Sequence, residues 1–131
     1  GYVFKYKGLS VTMNGAAKKL IKKAGKPSKK TVKKSCAYKG KDRTYTYKDF
    51  QLKTYSKTNN GAEYVSEIRF RSNKAVTKEG IRIGRSLKDV TKKYGKAKAR
   101  FGVYTFKKGS SKLQIMLNGN KVSAIRYFAS K

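Results

Sequence analysis

The sequence predicts an α+β fold in which two helices lie on one face of an antiparallel sheet, built from two repeats of strand, helix and three antiparallel strands. Three observations predict it. The stretch Ile81 to Lys96 reads as a strand end that turns through Gly84 into a short helix: Ser86 with Asp89 three residues on is a capping-box pattern, Leu87, Val90 and Tyr94 share one helical face, and Gly95 supplies the left-handed residue that ends a helix. The same unit occurs earlier, where Lys22-Lys23-Ala24-Gly25-Lys26 matches Lys92-Lys93-Tyr94-Gly95-Lys96, and Val11, Met13 and Leu20 match Ile81, Ile83 and Val90. Three strand sequences then echo one another in order: Tyr45-Thr46-Tyr47 with Tyr104-Thr105-Phe106, Phe50-Gln51-Leu52 with Leu113-Gln114-Ile115, and Val65-Ser66-Glu67-Ile68-Arg69-Phe70 with Val122-Ser123-Ala124-Ile125-Arg126-Tyr127. The chain is thus expected to be one domain of two repeats, residues 1–73 and 74–131.

Taken in order, Tyr2 to Tyr6 reads as a strand, Lys7-Gly8 as a turn, and Leu9, Val11 and Met13 as a second extended piece. Asn14 offers an N-cap for a helix whose stripe is Ala17, Leu20, Ile21 and Ala24; Gly25 ends it and Pro27 prevents its resumption. Ser28 to Ser35 is expected to be a polar, basic loop, and Cys36 an unpaired thiol at least half buried where the sheet begins. From there the period is two. Arg43 to Tyr47 and Phe50 to Tyr55 form a hairpin around Lys48-Asp49, Asn60-Gly61 is a strong turn signal, and Tyr64 to Arg71 is the third strand. The second half repeats the order with shorter loops, and Asn118-Gly119 closes its last hairpin.

Alternation divides the strands into two faces. Tyr45, Tyr47, Phe50, Leu52, Ile68 and Phe70, with Tyr104, Phe106, Leu113, Ile115, Leu117, Ile125 and Tyr127, are the expected core, beneath the helices. The other face carries Thr44, Thr46, Gln51, Lys53, Tyr55, Val65, Glu67, Arg69 and Arg71 in one half and Val103, Thr105, Gln114, Met116, Val122, Ala124, Arg126 and Phe128 in the other. Two short helices cannot cover both faces, so this one is expected to stand half open.

Charge dominates the composition. Against 6 acids stand 35 bases, 28 of them lysine, for a formal net charge of +29. The chain has no histidine and one cysteine, so the commonest general base near neutral pH, the commonest metal ligand and any internal disulfide are missing. Asp42, Asp49 and Asp89 have no spaced partner, and Gly80-Ile81-Arg82-Ile83-Gly84 reads as strand and not as a phosphate loop; no catalytic, cofactor or metal site is predicted. No apolar run approaches the ~18 residues of a membrane span. The chain does not start with methionine, and a secretory leader removed before Tyr2 is the expectation.

A tandem arrangement of glycine-ended helices, each followed by an antiparallel meander, resembles the beta-lactamase-inhibitor-protein-like fold. The stretch Ile83-Gly84 to Gly95-Lys96 also resembles the helix motif of SmpA/OmlA-type envelope lipoproteins, and the chain as a whole resembles duplicated secreted proteins of Gram-positive bacteria. The resemblance implies a non-catalytic, extracytoplasmic protein that presents a sheet face to another macromolecule. The charge departs from that of the inhibitor itself, and no β-lactamase partner is implied.

The expected function is therefore a secreted or envelope-associated binding module with two surfaces. Lys18, Lys19, Lys22, Lys23, Lys29, Lys30, Lys33 and Lys34 would hold an anionic polymer such as teichoic acid, or anionic lipid headgroups, because like charges three and four apart on a helix cost roughly 0.2–0.5 kcal/mol a pair and no acid precedes Asp42 to relieve them. Lys53, Tyr55, Arg69, Arg71, Gln114, Met116, Arg126 and Phe128 would receive a macromolecular partner on the open sheet face. Two blander accounts compete: a lysine surface that only keeps the chain soluble, and face residues that only make cross-strand ladders. Nucleic-acid binding is the alternative function, weakened by four lysines to each arginine and by the lack of a helix-turn-helix, zinc-finger or RNP-like motif. No small-molecule substrate is expected.

Overall fold

The computed structural model describes residues 1–130. The fold is mostly β, which corrects the α+β expectation of helices laid on a repeated sheet. Among the described residues nine strands form two antiparallel sheets. Strands β1 (Val3–Tyr6) and β2 (Leu9–Thr12) make a hairpin of their own. The other seven are β3 (Lys29–Lys34), β4 (Lys41–Thr46), β5 (Phe50–Ser56), β6 (Glu63–Phe70), β7 (Val103–Lys108), β8 (Ser111–Asn118) and β9 (Lys121–Ala129). They lie in the order β3-β4-β5-β6-β9-β8-β7, with Ile68 opposite Tyr127 where the two meanders meet. The helices α1 (Lys18–Ala24) and α2 (Leu87–Tyr94) have 7 and 8 residues.

The unit of strand, helix and three strands fails in both halves, for physical reasons. Ser28 to Ser35, expected to be a loop, contains strand β3: Lys29, Thr31 and Lys33 alternate with Lys30, Val32 and Lys34 without burying either set, so no apolar periodicity marks it. Before α2, Ile81 and Ile83 are not strand; Ile81 is buried in a loop whose Thr77 makes a single bridge to Phe4. Each helix fully buries one side chain, Leu20 or Val90, too little to cover seven strands. The N-terminal hairpin covers the centre instead. The Phe4 ring lies 5.5 Å from those of Phe50 and Phe70 and 6.2 Å from that of Tyr127, and Tyr2 meets Tyr94 edge-on at 6.1 Å.

Further corrections are local. Asn14 does not cap α1; its φ is 65°, its Oδ1 accepts from Tyr55 Oη, and the N-cap position falls to Ala17, which is buried and caps nothing with its side chain. Cys36 is exposed, in the loop between β3 and β4. Val65 and Val122 are buried, not on the open face, because a bulge shifts the register between Lys53 and Thr54 and another between Met116 and Leu117. The extra residues are Ser66 and Ser123, whose hydroxyls donate to Lys53 O at 3.1 Å and Met116 O at 3.3 Å. Each bulge flips the pleat, so one strand has its valine inward and its charged or polar residues outward further along.

Candidate functional site

Two surfaces emerge from this architecture. The first is the lysine edge. Strand β3 pairs only with β4, so its outer backbone edge is unpaired, and all six of its residues are exposed. It follows α1 after the link 25–28, and Lys18, Lys19, Lys22 and Lys23 are exposed too. All eight lysines predicted to hold a polyanion therefore face solvent on two consecutive elements.

The acids explain why so many lysines stand alone. Glu63 accepts from the hydroxyls of Tyr45 and Thr54, both at 2.7 Å; Glu79 accepts from Tyr94 at 2.7 Å and Asp49 from Ser72 at 2.7 Å. Half of the acids thus serve as acceptors for hydroxyl groups, and only Glu67 and Asp89 pair with cations among the described residues. Among the described residues the ion pairs engage Lys53, Arg69, Arg85 and Arg126 alone, and none of the eight polyanion-site lysines.

The second surface is the outer face of the sheet. The register places Lys53 and Tyr55 of β5, Arg69 of β6, Gln114 and Met116 of β8, and Arg126 and Phe128 of β9 on it together. Glu67 sits at its centre, 3.3 Å from Arg126 Nε, 3.7 Å from Arg69 Nη2 and 3.9 Å from Lys53 Nζ. One carboxylate among three cations leaves the cluster positive. The Arg126 guanidinium also lies 4.3 Å from the Phe128 ring centre, a cation–π contact. Met116 stands out, 46% exposed. Arg71 does not belong with these residues: just beyond β6, its guanidinium donates to Tyr47 O and its backbone N–H to Asp49 O, which ties down the β4–β5 turn.

At one end of this face three tyrosines form a ladder that the sequence patterns missed. Tyr38, from the loop after β3, stacks on Tyr55 at 4.9 Å and 16°, and Tyr55 meets Tyr64 at 5.6 Å. Burial and the neighbouring Tyr38 phenol push the Tyr55 hydroxyl above its ordinary pKa. The loop is built to hold Tyr38 there. Ser35 Oγ accepts from the backbone N–H groups of Ala37 at 3.2 Å and Tyr38 at 3.1 Å, and Gly40 packs so tightly that a Cβ would lie 2.0 Å from Ser56 O. Beside the ladder lies a groove of about 590 Å³ lined by Lys33, Tyr38, Asp42, Thr44, Lys53 and Tyr55 among others. The signal that was available is Ser35 two and three residues before the N–H groups it holds, an ST-turn pattern, but it says nothing of where a loop tyrosine lands.

Among the described residues no group of three His, Cys, Asp or Glu side chains could hold a metal ion, and no helix is long and apolar enough to cross a membrane. Comparison with protein-family models, curated proteins and solved structures finds no match.

Proposed function

We propose that the protein is a non-catalytic, extracytoplasmic binding module that docks on a phosphate-rich anionic polymer or on anionic lipid headgroups through the lysine edge, and offers the open sheet face to a macromolecular partner. One observation carries the proposal: Lys18, Lys19, Lys22, Lys23, Lys29, Lys30, Lys33 and Lys34 are exposed on consecutive elements and, among the described residues, none of them forms an ion pair, while three of the six acids are spent as hydroxyl acceptors in the fold. Lysines on an edge strand also deter strand-to-strand aggregation, which accounts for β3 but not for the matching row on α1. The extracytoplasmic location comes from the resemblance to envelope proteins.

A polymer of phosphates suits lysine better than a base-reading role does. The arginines, whose planar forks recognise bases, are largely engaged inside the fold: Arg69 and Arg126 with Glu67, Arg85 with Asp89, Arg71 with Tyr47 O, and Arg43 with Ser56 Oγ and Asn59 O. The test is titration of the protein with soluble teichoic acid, with phosphatidylglycerol vesicles and with mixed-sequence oligonucleotides. Binding to the first or second is expected, weakening steeply with salt and lost on replacing Lys18, Lys19, Lys22 and Lys23 by glutamine together with Lys29, Lys30, Lys33 and Lys34. The two arms separate polymer from membrane. Tighter, sequence-selective binding to an oligonucleotide would transfer the function to nucleic acid, and unchanged binding by the lysine-free variant would remove the edge from any role.

A further inference from the structure

We propose that the groove beside Tyr38 is a binding site for an acidic sugar ring, one carrying a carboxylate or sulfate group. It deepens the part of the proposed function that gives the open face to a partner, and rests on it in that respect; of the lysine edge it uses Lys33 alone.

Four features of the groove select this chemistry. Its volume, about 590 Å³, lies within the ~300–1,000 Å³ of small-ligand sites. One wall is aromatic: Tyr38 has one face on Tyr55 and still keeps 42% of its surface exposed, so a flat apolar ring surface remains for the C–H face of a sugar. The wall is fixed in advance, since Ser35 clamps the loop backbone and Asn14 Oδ1 accepts from Tyr55 Oη at 3.0 Å, so little ordering is left to binding.

The third feature is Asp42. Among the described residues it is the one acid that neither pairs with a cation nor accepts a hydrogen bond from the protein, and it lines the groove. A carboxylate accepts only, so its ligand must donate. Adjacent hydroxyls of a sugar donate in that way, whereas a bare phosphate chain would be repelled. Thr44, on the same strand face two residues on, adds a hydroxyl. The fourth feature is Lys33. The register sets it directly across from Asp42, yet the two form no ion pair, which leaves an ammonium free for the acidic substituent. Donor-seeking carboxylate, cation and aromatic wall together match an acidic sugar better than a lipid headgroup, which has no ring to stack, or a nucleobase, which leaves the Asp42 repulsion of its phosphates unanswered.

The experiment measures affinity for three probes: a heparin-derived hexasaccharide, linear polyphosphate of the same charge, and oligothymidylate. The variants are Tyr38→Ala, Tyr38→Phe, Asp42→Ala and the quadruple Lys18, Lys19, Lys22 and Lys23 to glutamine. Tyr38→Ala is expected to weaken hexasaccharide binding about tenfold, on the scale of one aromatic contact, and Tyr38→Phe to restore it. Asp42→Ala should weaken the hexasaccharide while strengthening or sparing polyphosphate. The Asp42 side chain forms no ion pair or hydrogen bond in the fold, so Asp42→Ala should keep the thermal transition of the parent, and Tyr38→Ala, which loses only the stack on Tyr55, should stay folded with a slightly lower transition, both measured alongside. If Tyr38→Ala and Asp42→Ala leave the hexasaccharide unmoved, the sugar site is refuted, and loss of polyphosphate binding in the lysine variant would still uphold the edge. If polyphosphate does not bind at all and the hexasaccharide binds through Tyr38, the groove stands and the edge falls. A tenfold Tyr38 effect on oligothymidylate without one on the hexasaccharide makes the groove a nucleobase site and overturns the proposal.

Discussion

At the scale of single residues, stability rests on a few aromatic and carboxylate side chains. Phe4 is the knob that closes the centre of the sheet, 1% exposed and packed against four rings, those of Tyr6, Phe50, Phe70 and Tyr127. Phe4→Ala is expected to cost about 3–5 kcal/mol in urea unfolding, the range for aromatic truncation in a core. Glu63 is expected to behave differently from a surface acid: Glu63→Ala strands the Tyr45 and Thr54 hydroxyls and should cost about 1–3 kcal/mol. The tyrosines give the molecule a pH limit. Burial pushes Tyr127 up, and does so for Tyr94, Tyr45, Tyr47 and Tyr2 as well. A raised folded-state pKa means the native form holds its proton above pH ~10 when the unfolded chain has lost it, so this stability is complete below pH ~10 and is lost as pH climbs further, by up to about 1.4 kcal/mol per pH unit for each tyrosine. Tyrosinate absorbance should rise in two phases, exposed phenols first and the buried set with unfolding; a single phase near pH ~10 would refute the burial of these hydroxyls.

At the scale of elements, the two helices are unequal. Ser86 Oγ accepts from Asp89 N at 3.2 Å and caps α2, and the Asp89 carboxylate turns to Arg85 at 3.3 Å, not back to Ser86, so half of the expected capping box forms. Helix α1 starts at a buried alanine with no acid in its first turn and has Lys22 and Lys23 in its last. Ser86→Ala is expected to lower stability by about 1 kcal/mol, and amide exchange in α1 to be faster than in α2. The legibility of elements in the sequence follows from how each is buried. Strands β5, β6, β8 and β9, with one apolar face, were legible from alternation, as were Gly25 and Gly95 as helix ends. Strand β3 was not, because an exposed edge strand of lysines and a polar loop have the same composition. The bulges were not either. A one-residue insertion marked only by Ser66 or Ser123 reverses the faces of Val65 and Val122, and a strict period of two cannot report it. Among candidate-site residues, those of the open sheet face other than Arg71 followed from alternation, while Tyr38 and Asn14 come from turns whose placement depends on tertiary contacts.

At the scale of the whole molecule, the question is what an excess of 29 positive charges does to a fold that pairs so few of them. The unfolded chain spreads its charges; folding gathers them onto a surface, with Lys18 to Lys34 concentrated on α1 and β3. Repulsion among exposed charges therefore opposes folding, and it acts over the Debye length, about 30 Å at 0.01 M salt and about 10 Å at 0.1 M. The melting temperature is expected to rise as sodium chloride is added over that interval. A multivalent polyanion adds to this screening the free energy of binding the folded state, so heparin or teichoic acid should raise the melting temperature beyond sodium chloride at matched ionic strength. Replacing Lys18, Lys19, Lys22 and Lys23 by glutamine should stabilise the free protein slightly, by the roughly 0.2–0.5 kcal/mol per like-charge pair removed, and reduce the gain from the polyanion. These two effects have opposite signs, which is what separates a binding surface from a solubilising one: repulsion alone predicts the first without the second. Equal responses to polyanion and simple salt, with a quadruple variant that responds as the parent does, would leave the lysines of α1 as a solvated surface only.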